Sequence, residues 1–228
     1  MKTMSDTKKT MFVGAPPAWA LRRPKTLLQA AYDFLGAPLR MILLPDHQSE
    51  RLHLTSLRAE RLARVLPVLD GRILDVGAGD NMLINLHRKS SPNDRADQSV
   101  GVDVVDWGGD CMILPDCSRL PFPDASFDTV CFVACINHIP ERSEALKEAR
   151  RVLRPGGRIV LTMIGRFIGG IGHAIWWYSE DKHREIADGE VMGMDRAEIR
   201  QLLSSAGFSQ PREQTFLYGL NTLYVANR

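Results

Sequence analysis

Cysteine is scarce: four residues in 228, at positions 111, 117, 131 and 135, and none of them forms a CxxC pair. So few cysteines in a chain of this length exclude a disulfide framework and point to a reducing, cytoplasmic setting. Charge of one sign is equally short, since 29 Lys and Arg stand against 27 Asp and Glu for a net charge of +2. An excess that small provides no field to steer the chain onto nucleic acid. Long apolar runs are missing as well. Residues 12–21 contain Ala18-Trp19-Ala20, which resembles a signal-peptide cleavage site, but Pro16-Pro17 break the run and Arg22 and Arg23 follow directly. Residues 159–178 are mostly apolar yet hold Arg166, His173 and four glycines, so no membrane span is expected there either. Cys131, Cys135 and His138 form the one grouping suggestive of a metal. It falls in a strand-like run where both cysteines face the same way and pack, so no metal site is expected.

What is present reads as an ordinary globular chain, 44% hydrophobic and 25% charged. Its length suits one domain with an appendage. Residues 1–25 are basic, polar and proline-containing. Leu27, Leu28, Ala31, Tyr32 and Leu35 recur at helical spacing, and Leu57, Arg61, Leu62, Val65 and Leu66 mark a second helix that stops near Asp70-Gly71. There is no internal repeat.

From Gly71 the pattern changes. Short β-like runs cover Arg72–Val76, Val100–Val105, Cys111–Leu114, Phe127–Ile136 and Arg158–Met163. Between them lie helical stretches carrying Met82, Leu83 and Leu86, and later Ala145, Leu146, Ala149, Val152 and Leu153, the latter ending at Pro155-Gly156-Gly157. Strands alternating with helices at this spacing predict parallel βαβ units in a doubly wound α/β sheet. The last helix is capped by Asp195 with Glu198 three residues on, stapled by Met194 and Ile199, and terminated at Gly207. Two further strand-like runs, Gln214–Tyr218 and Thr222–Ala226, read as a closing antiparallel hairpin.

Four motifs carry chemistry. Ile73-Leu74-Asp75-Val76-Gly77-Ala78-Gly79-Asp80 ends the first strand, and its glycines let the backbone turn sharply beside a ligand at the carboxyl end of the sheet. A dinucleotide fingerprint would want glycine at 82, where this chain has Met82. Asp75 is unsuited to cradling a pyrophosphate, so a cationic, phosphate-free ligand fits better. Val100-Gly101-Val102-Asp103 ends the next strand in a carboxylate able to accept both hydroxyl hydrogens of a ribose, with Asp106 as a competitor. The loop from Asp116-Cys117 through Asp128 offers a carboxylate suited to the amino edge of an adenine. The fourth motif is Arg151-Val152-Leu153-Arg154-Pro155-Gly156-Gly157.

In this order the four motifs closely resemble those of the class I S-adenosylmethionine-dependent methyltransferases over residues 71–163, with Asp80 where many members have a further glycine. The resemblance implies S-adenosylmethionine as cofactor, with Asp75, Gly77, Ala78 and Gly79 at its methionine end, Asp103 on the ribose, and Asp116 with Cys117 on the adenine. Asn137 is assigned to the same cofactor set. It also implies a Rossmann-like seven-stranded sheet whose last strand is antiparallel. The chain then divides into an N-terminal extension and helical cover, 1–70, and a cofactor-binding domain, 71–228, with an insertion at 165–193.

Acceptor recognition is expected from outside that core. The insertion holds Trp176, Trp177, Tyr178 and His183, aromatics beside polar groups that can form an apolar pocket. Asn137-His138 ends the fourth strand, where His138 is a candidate base for an acceptor proton and equally a structural histidine. The Asn-Pro-Pro-aromatic sequence of amino-methylating nucleic-acid enzymes is absent, Ala134-Cys135-Ile136-Asn137 standing in its place. The expected acceptor is a small, partly apolar molecule, reached by direct displacement. A cofactor-binding interaction partner without transfer, or a protein methyltransferase, are the alternatives.

Overall fold

In the computed structural model, which describes residues 14–166 and 188–228, the apolar runs become strands β1 (Ile73–Val76), β2 (Val100–Asp103), β3 (Met112–Ile113), β4 (Phe127–Val133), β5 (Leu153–Ile164), β6 (Arg212–Phe216) and β7 (Asn221–Asn227). The principal α-helices are α1 (Ala18–Leu21), α2 (Leu27–Leu35), α3 (Asp46–Arg51), α4 (Leu57–Val65), α5 (Met82–Ser90), α6 (Arg142–Val152) and α7 (Arg196–Ser205). The described residues group into two compact units, 14–67 and 68–166 with 188–228.

The second unit is built on one sheet of order β3-β2-β1-β4-β5-β7-β6. β1 to β5 pair in parallel, and β7 runs antiparallel to both β5 and β6. The last strand alone is reversed, as the closing hairpin predicts. β1 and β4 are buried on both faces, which is why they read as continuous apolar runs and not as alternating ones. Strand order reverses at β1, whose neighbours are β2 on one side and β4 on the other, and the carboxyl ends at such a switch point form the crevice where ligands bind in open α/β sheets.

Two boundaries differ from those the sequence suggests. The run Phe127–Ile136 leaves the sheet at Val133, because Ala134 adopts a left-handed conformation (φ 57°) and a 3₁₀ turn, Ile136–His138, follows. Cys131 and Cys135 are therefore not partners on one strand face. Likewise α6 stops at Val152, before Pro155, and β5 begins at Leu153. Proline disfavours helical geometry in the residue before it, so the chain is already extended when it reaches Arg154. The α7 capping box forms, Gly207 ends the helix at φ 83°, and Met194 and Ile199 are both buried in the core. Among the described residues no helix is long and apolar enough to cross a membrane.

The first unit is organised around buried charge. Glu60 of α4 pairs with Arg23 at 2.6 Å, Arg40 at 3.2 Å, and Lys25. Asp33 of α2 binds Lys25 and accepts from the Thr55 amide (2.8 Å) and hydroxyl (2.7 Å). The Arg40 guanidinium, also buried, donates to the carbonyls of Asp33 (3.0 Å) and Thr55 (2.7 Å). Burial opposes ionisation of Asp33 and Glu60, yet the hydrogen bonds and charge of Lys25, aided by Thr55 at Asp33 and by Arg23 and Arg40 at Glu60, hold both carboxyls below their ordinary range.

Breaking a buried ion pair from one side strands its partners. Glu60→Gln should therefore destabilise this unit by about 3 kcal/mol, read as a lowered urea midpoint. Because both folded-state pKa values are depressed, the stabilisation is complete above the ordinary carboxylate range and drains as pH falls through the folded values. Wild type should lose stability on acidification below about pH 4 more steeply than Glu60→Gln does, a comparison made by urea titration at each pH.

Candidate functional site

β1 delivers Asp75 to the centre of the sheet, in register with Gly101 of β2 and Cys131 of β4. The side chain is 3% exposed, and its Oδ1 has no hydrogen-bond partner. Burial, followed by the charges of Asp103 and Asp80, raises its pKa well above the ordinary carboxylate value. Among the described residues no cation pairs with this carboxyl group.

The glycine loop after β1 is tied to the next strand. The amides of Gly77 and Ala78 both donate to the Val102 carbonyl, at 2.9 and 3.0 Å, and the Gly79 amide donates to Asp103 Oδ2 at 2.9 Å. Gly77 has φ 74°, and a Cβ there would sit 2.6 Å from the Cys135 Cβ, so glycine is required on both backbone and steric grounds. Gly101 is the second such position, where a Cβ would lie 2.1 Å from Asn81 Oδ1 and 2.7 Å from the Ala78 Cβ. Glycine in β2 thus lets the loop close against its neighbour.

Asp103 is buried at the end of β2. Besides the Gly79 amide, it accepts from the Val105 amide through Oδ1 at 3.0 Å, which fixes both carboxylate oxygens and leaves each a further lone pair. Asp106 is exposed, and its Oδ1 accepts from the Gly108 amide at 2.8 Å in a local turn. Asp116 binds the Ser118 amide and hydroxyl, both at 2.6 Å, and these bonds lower its pKa. Cys117 is buried beside it, its thiol pushed up to about 12 by burial and by the charges of Asp103 and Asp116. Asp75, Gly77, Ala78, Gly79 and Asp103 therefore form one linked group, with Cys117 electrostatically within reach of both Asp103 and Asp116.

Asn137 and His138 belong to a second cluster. Asn137 exchanges hydrogen bonds with Val191: its backbone carbonyl accepts from the Val191 amide, and its Nδ2 donates to the Val191 carbonyl, both at 3.0 Å. Nδ2 also lies 3.1 Å from His138 Nε2, and His138 Nδ1 lies 3.0 Å from Oε2 of Glu190. With Glu190 ionised, one tautomer satisfies both ring contacts: a proton on Nδ1 for the carboxylate, and a lone pair on Nε2 for the amide. The hydrogen bonds of Asn137 thus run to Val191 and His138, not to the Asp75–Asp103 group. Trp176, Trp177, Tyr178 and His183 lie outside the described residues. Among the described residues no cluster of His, Cys, Asp and Glu has the makings of a metal site.

Residues 74–161 match the family described as "Methyltransferase domain". The 27-O-demethylrifamycin SV methyltransferase of Amycolatopsis mediterranei is 32% identical over 177 residues, 71% of this chain and 63% of that protein. Residues 74–161 thus resemble the class I S-adenosylmethionine-dependent methyltransferase domain. The ubiquinone/menaquinone biosynthesis C-methyltransferase UbiE of Geobacter sulfurreducens is 26% identical over 190 residues, 69% of this chain and 72% of that protein. A crystal structure of an S-adenosylmethionine-dependent methyltransferase from Mesorhizobium loti shares the fold with a TM-score of 0.54 at 19% identity, covering 75% of this chain and 97% of that one. The chain spans a little under two thirds of the rifamycin relative.

Three supporting residues carry no signal strong enough to find from sequence. Ser118 fixes Asp116, and Glu190 lies near the end of the insertion with no local motif. Arg151 lies within the fourth motif of this methyltransferase family but reads there only as part of a helix end. In the structure it donates to the carbonyls of Phe122 (2.8 Å) and Leu120 (2.9 Å) and pairs with Asp124 (2.7 Å) and Glu148 (2.8 Å). Glu148 in turn accepts from the Leu120 amide at 3.1 Å. One guanidinium holds the loop downstream of Asp116 and Cys117 against α6.

Asp103→Ala should weaken S-adenosylhomocysteine binding on the order of tenfold or more in calorimetric titration, through the loss of a charge-assisted pair of hydrogen bonds, while Asp106→Ala leaves it unchanged. The reverse result would move the ribose to Asp106. Arg151→Ala should cost roughly tenfold in the same titration, and Arg151→Lys should recover little of it, because an ammonium cannot span the fork of acceptors.

Proposed function

We propose that this chain transfers the methyl group of S-adenosylmethionine to a small, partly apolar molecule by direct displacement. The observation that carries the reading is the buried, unpartnered carboxyl of Asp75 at the switch point of the sheet, beside a glycine loop and a second carboxylate at the end of β2. A cationic ligand with a ribose fits that set, and a pyrophosphate does not.

S-adenosylmethionine supplies, when bound, a methyl group already activated on its sulfonium. Asp75 and the loop Gly77-Ala78-Gly79 hold the methionine end. Asp103 accepts the ribose hydroxyls through the lone pairs that the Gly79 and Val105 amides leave open. Asp116 and Cys117, steadied by Ser118 and Arg151, meet the adenine. The chain's remaining tasks are to align the acceptor and keep the site dry. Where the acceptor loses a proton, His138 Nε2 would take it up. Glu190 stabilises the resulting imidazolium through Nδ1, and the acceptor hydroxyl takes the place of the Asn137 amide at Nε2. The acceptor-side assignment of Trp176, Trp177, Tyr178 and His183 stands on their sequence alone. The names of the relatives, one for a rifamycin and one for quinone biosynthesis, favour a small-molecule acceptor over a protein or nucleic acid.

Since burial raises the proton affinity of Asp75, a cationic ligand competes with a proton for it. S-adenosylmethionine affinity should rise with pH up to the raised pKa of the free protein and then level off, with proton release visible as a buffer-dependent binding enthalpy. Tight NAD binding without a response to S-adenosylmethionine or S-adenosylhomocysteine would sink the cofactor assignment. With labelled cofactor and a fractionated metabolite extract, label should enter a small apolar product. Label in protein or RNA alone would replace the acceptor class, and cofactor binding with no transfer to any fraction would favour a binding protein. His138→Ala should then lower kcat by about 10²-fold or more with cofactor affinity intact, and an unchanged kcat would leave His138 a structural residue only.

A further inference from the structure

Helix α2 is inside out. Its polar residues Gln29 and Asp33 face the buried charge cluster of the first unit, with Gln29 Nε2 donating to Asp33 Oδ1 (3.1 Å) and to the His53 carbonyl (2.9 Å). Its apolar residues face solvent: Leu27 is 90% exposed, Leu28 82%, Leu35 79% and Phe34 63%. At 100° per residue these four, together with the exposed Ala30 and Ala31, occupy one arc of the helix. The π-helical turn that follows, Leu39–Leu43, adds exposed Leu39, Ile42 and Leu43. An apolar surface this continuous on an outer helix marks an interaction site.

Charge identifies the occupant. Residues 1–67 carry 11 Lys and Arg against 5 Asp and Glu, while the rest of the chain carries 18 against 22. The near-neutral total conceals a segment of net charge +6. Among the described residues of this unit the four carboxylates are turned inward or half-buried: Asp33 and Glu60 lie in the ion-pair cluster, Asp46 accepts from the Leu57 amide (3.1 Å), and Glu50 accepts from the Ser56 hydroxyl (2.6 Å). Arg22 and Arg51 are exposed on the same unit: Arg22 precedes α2 and lines a cavity with Gln29 and His53, and Arg51 adjoins Leu52, whose carbonyl accepts from the Tyr32 hydroxyl at 2.9 Å. Two copies meeting through this face would bring two basic segments together, whereas an anionic lipid surface offers both an apolar layer and the opposite charge.

We propose that the apolar arc of α2 and the Leu39–Leu43 turn dock the protein on an anionic membrane surface, with Leu27, Leu28, Phe34 and Leu35 in the acyl boundary and Arg22 and Arg51 at the headgroups. The attachment is peripheral and reversible, and it does not depend on the identity of the methyl acceptor.

The test is co-sedimentation of the full-length protein with vesicles of phosphatidylcholine alone or of phosphatidylcholine with phosphatidylglycerol. The anionic vesicles should bind it at least about tenfold more tightly, with the advantage shrinking between 0.1 and 0.5 M salt as the charges are screened. The double variant Leu28→Ser/Leu35→Ser should lose about tenfold in binding to anionic vesicles, and Arg22→Glu should lose affinity for them while leaving the weak binding to neutral vesicles unchanged. These positions are exposed, so thermal melting and cofactor titration should match wild type and show that the variants fold. Absence of vesicle binding, binding indifferent to the Leu substitutions, or a concentration-dependent dimer in sedimentation velocity that the same substitutions abolish would each overturn the proposal.

Discussion

The second unit turns on an electrostatic debt at one residue. Asp75 is carried by the sheet into a buried position where, among the described residues, no cation pairs with it. A carboxyl so placed is unfavourable in its charged form, and its hold on a proton is raised well above that of an ordinary carboxylate. Everything around it follows from holding that geometry: glycine at 77 and 101 for close approach, the Val102 carbonyl gripping two loop amides, and Asp103 bonded to the Gly79 amide.

The first unit solves the opposite problem. Asp33, Glu60 and Arg40 are as deeply placed as core leucines, and with the half-buried Lys25 they are matched with one another. Their mutual satisfaction fixes the orientation of α2, since Asp33 cannot leave the Lys25 and Thr55 contacts without stranding a charge. The apolar side of the helix is consequently directed outward by the cost of exposing the ion pairs, not by a preference of leucine for water.

Much of this was legible in the sequence, because glycine spacing and strand-end carboxylates are local signals. DVGAGD and GVD mark β1 and β2 without any tertiary information, and Asp195, Glu198 and Gly207 delimit α7 by capping chemistry alone. Legibility failed where the determinant was a distant partner. The end of β4 at Val133 depends on a left-handed alanine, a conformation with no compositional signature. Arg151 earns its role from carbonyls about thirty residues away, and Glu190 from a histidine more than fifty residues before it. Helix α2 shows the limit of periodicity: the spacing of its leucines gives the helix correctly and is silent on whether that stripe faces a core.

The segment between β5 and α7 is fastened at both ends. On one side the Ile164 carbonyl accepts from the Met194 amide at 3.1 Å, and Arg166 pairs with Glu198 at 2.7 Å. On the other, Val191 and Glu190 are bonded to Asn137 and His138. Loop-closure entropy grows only slowly with length, so two ends fixed in this way place little constraint on how many residues join them.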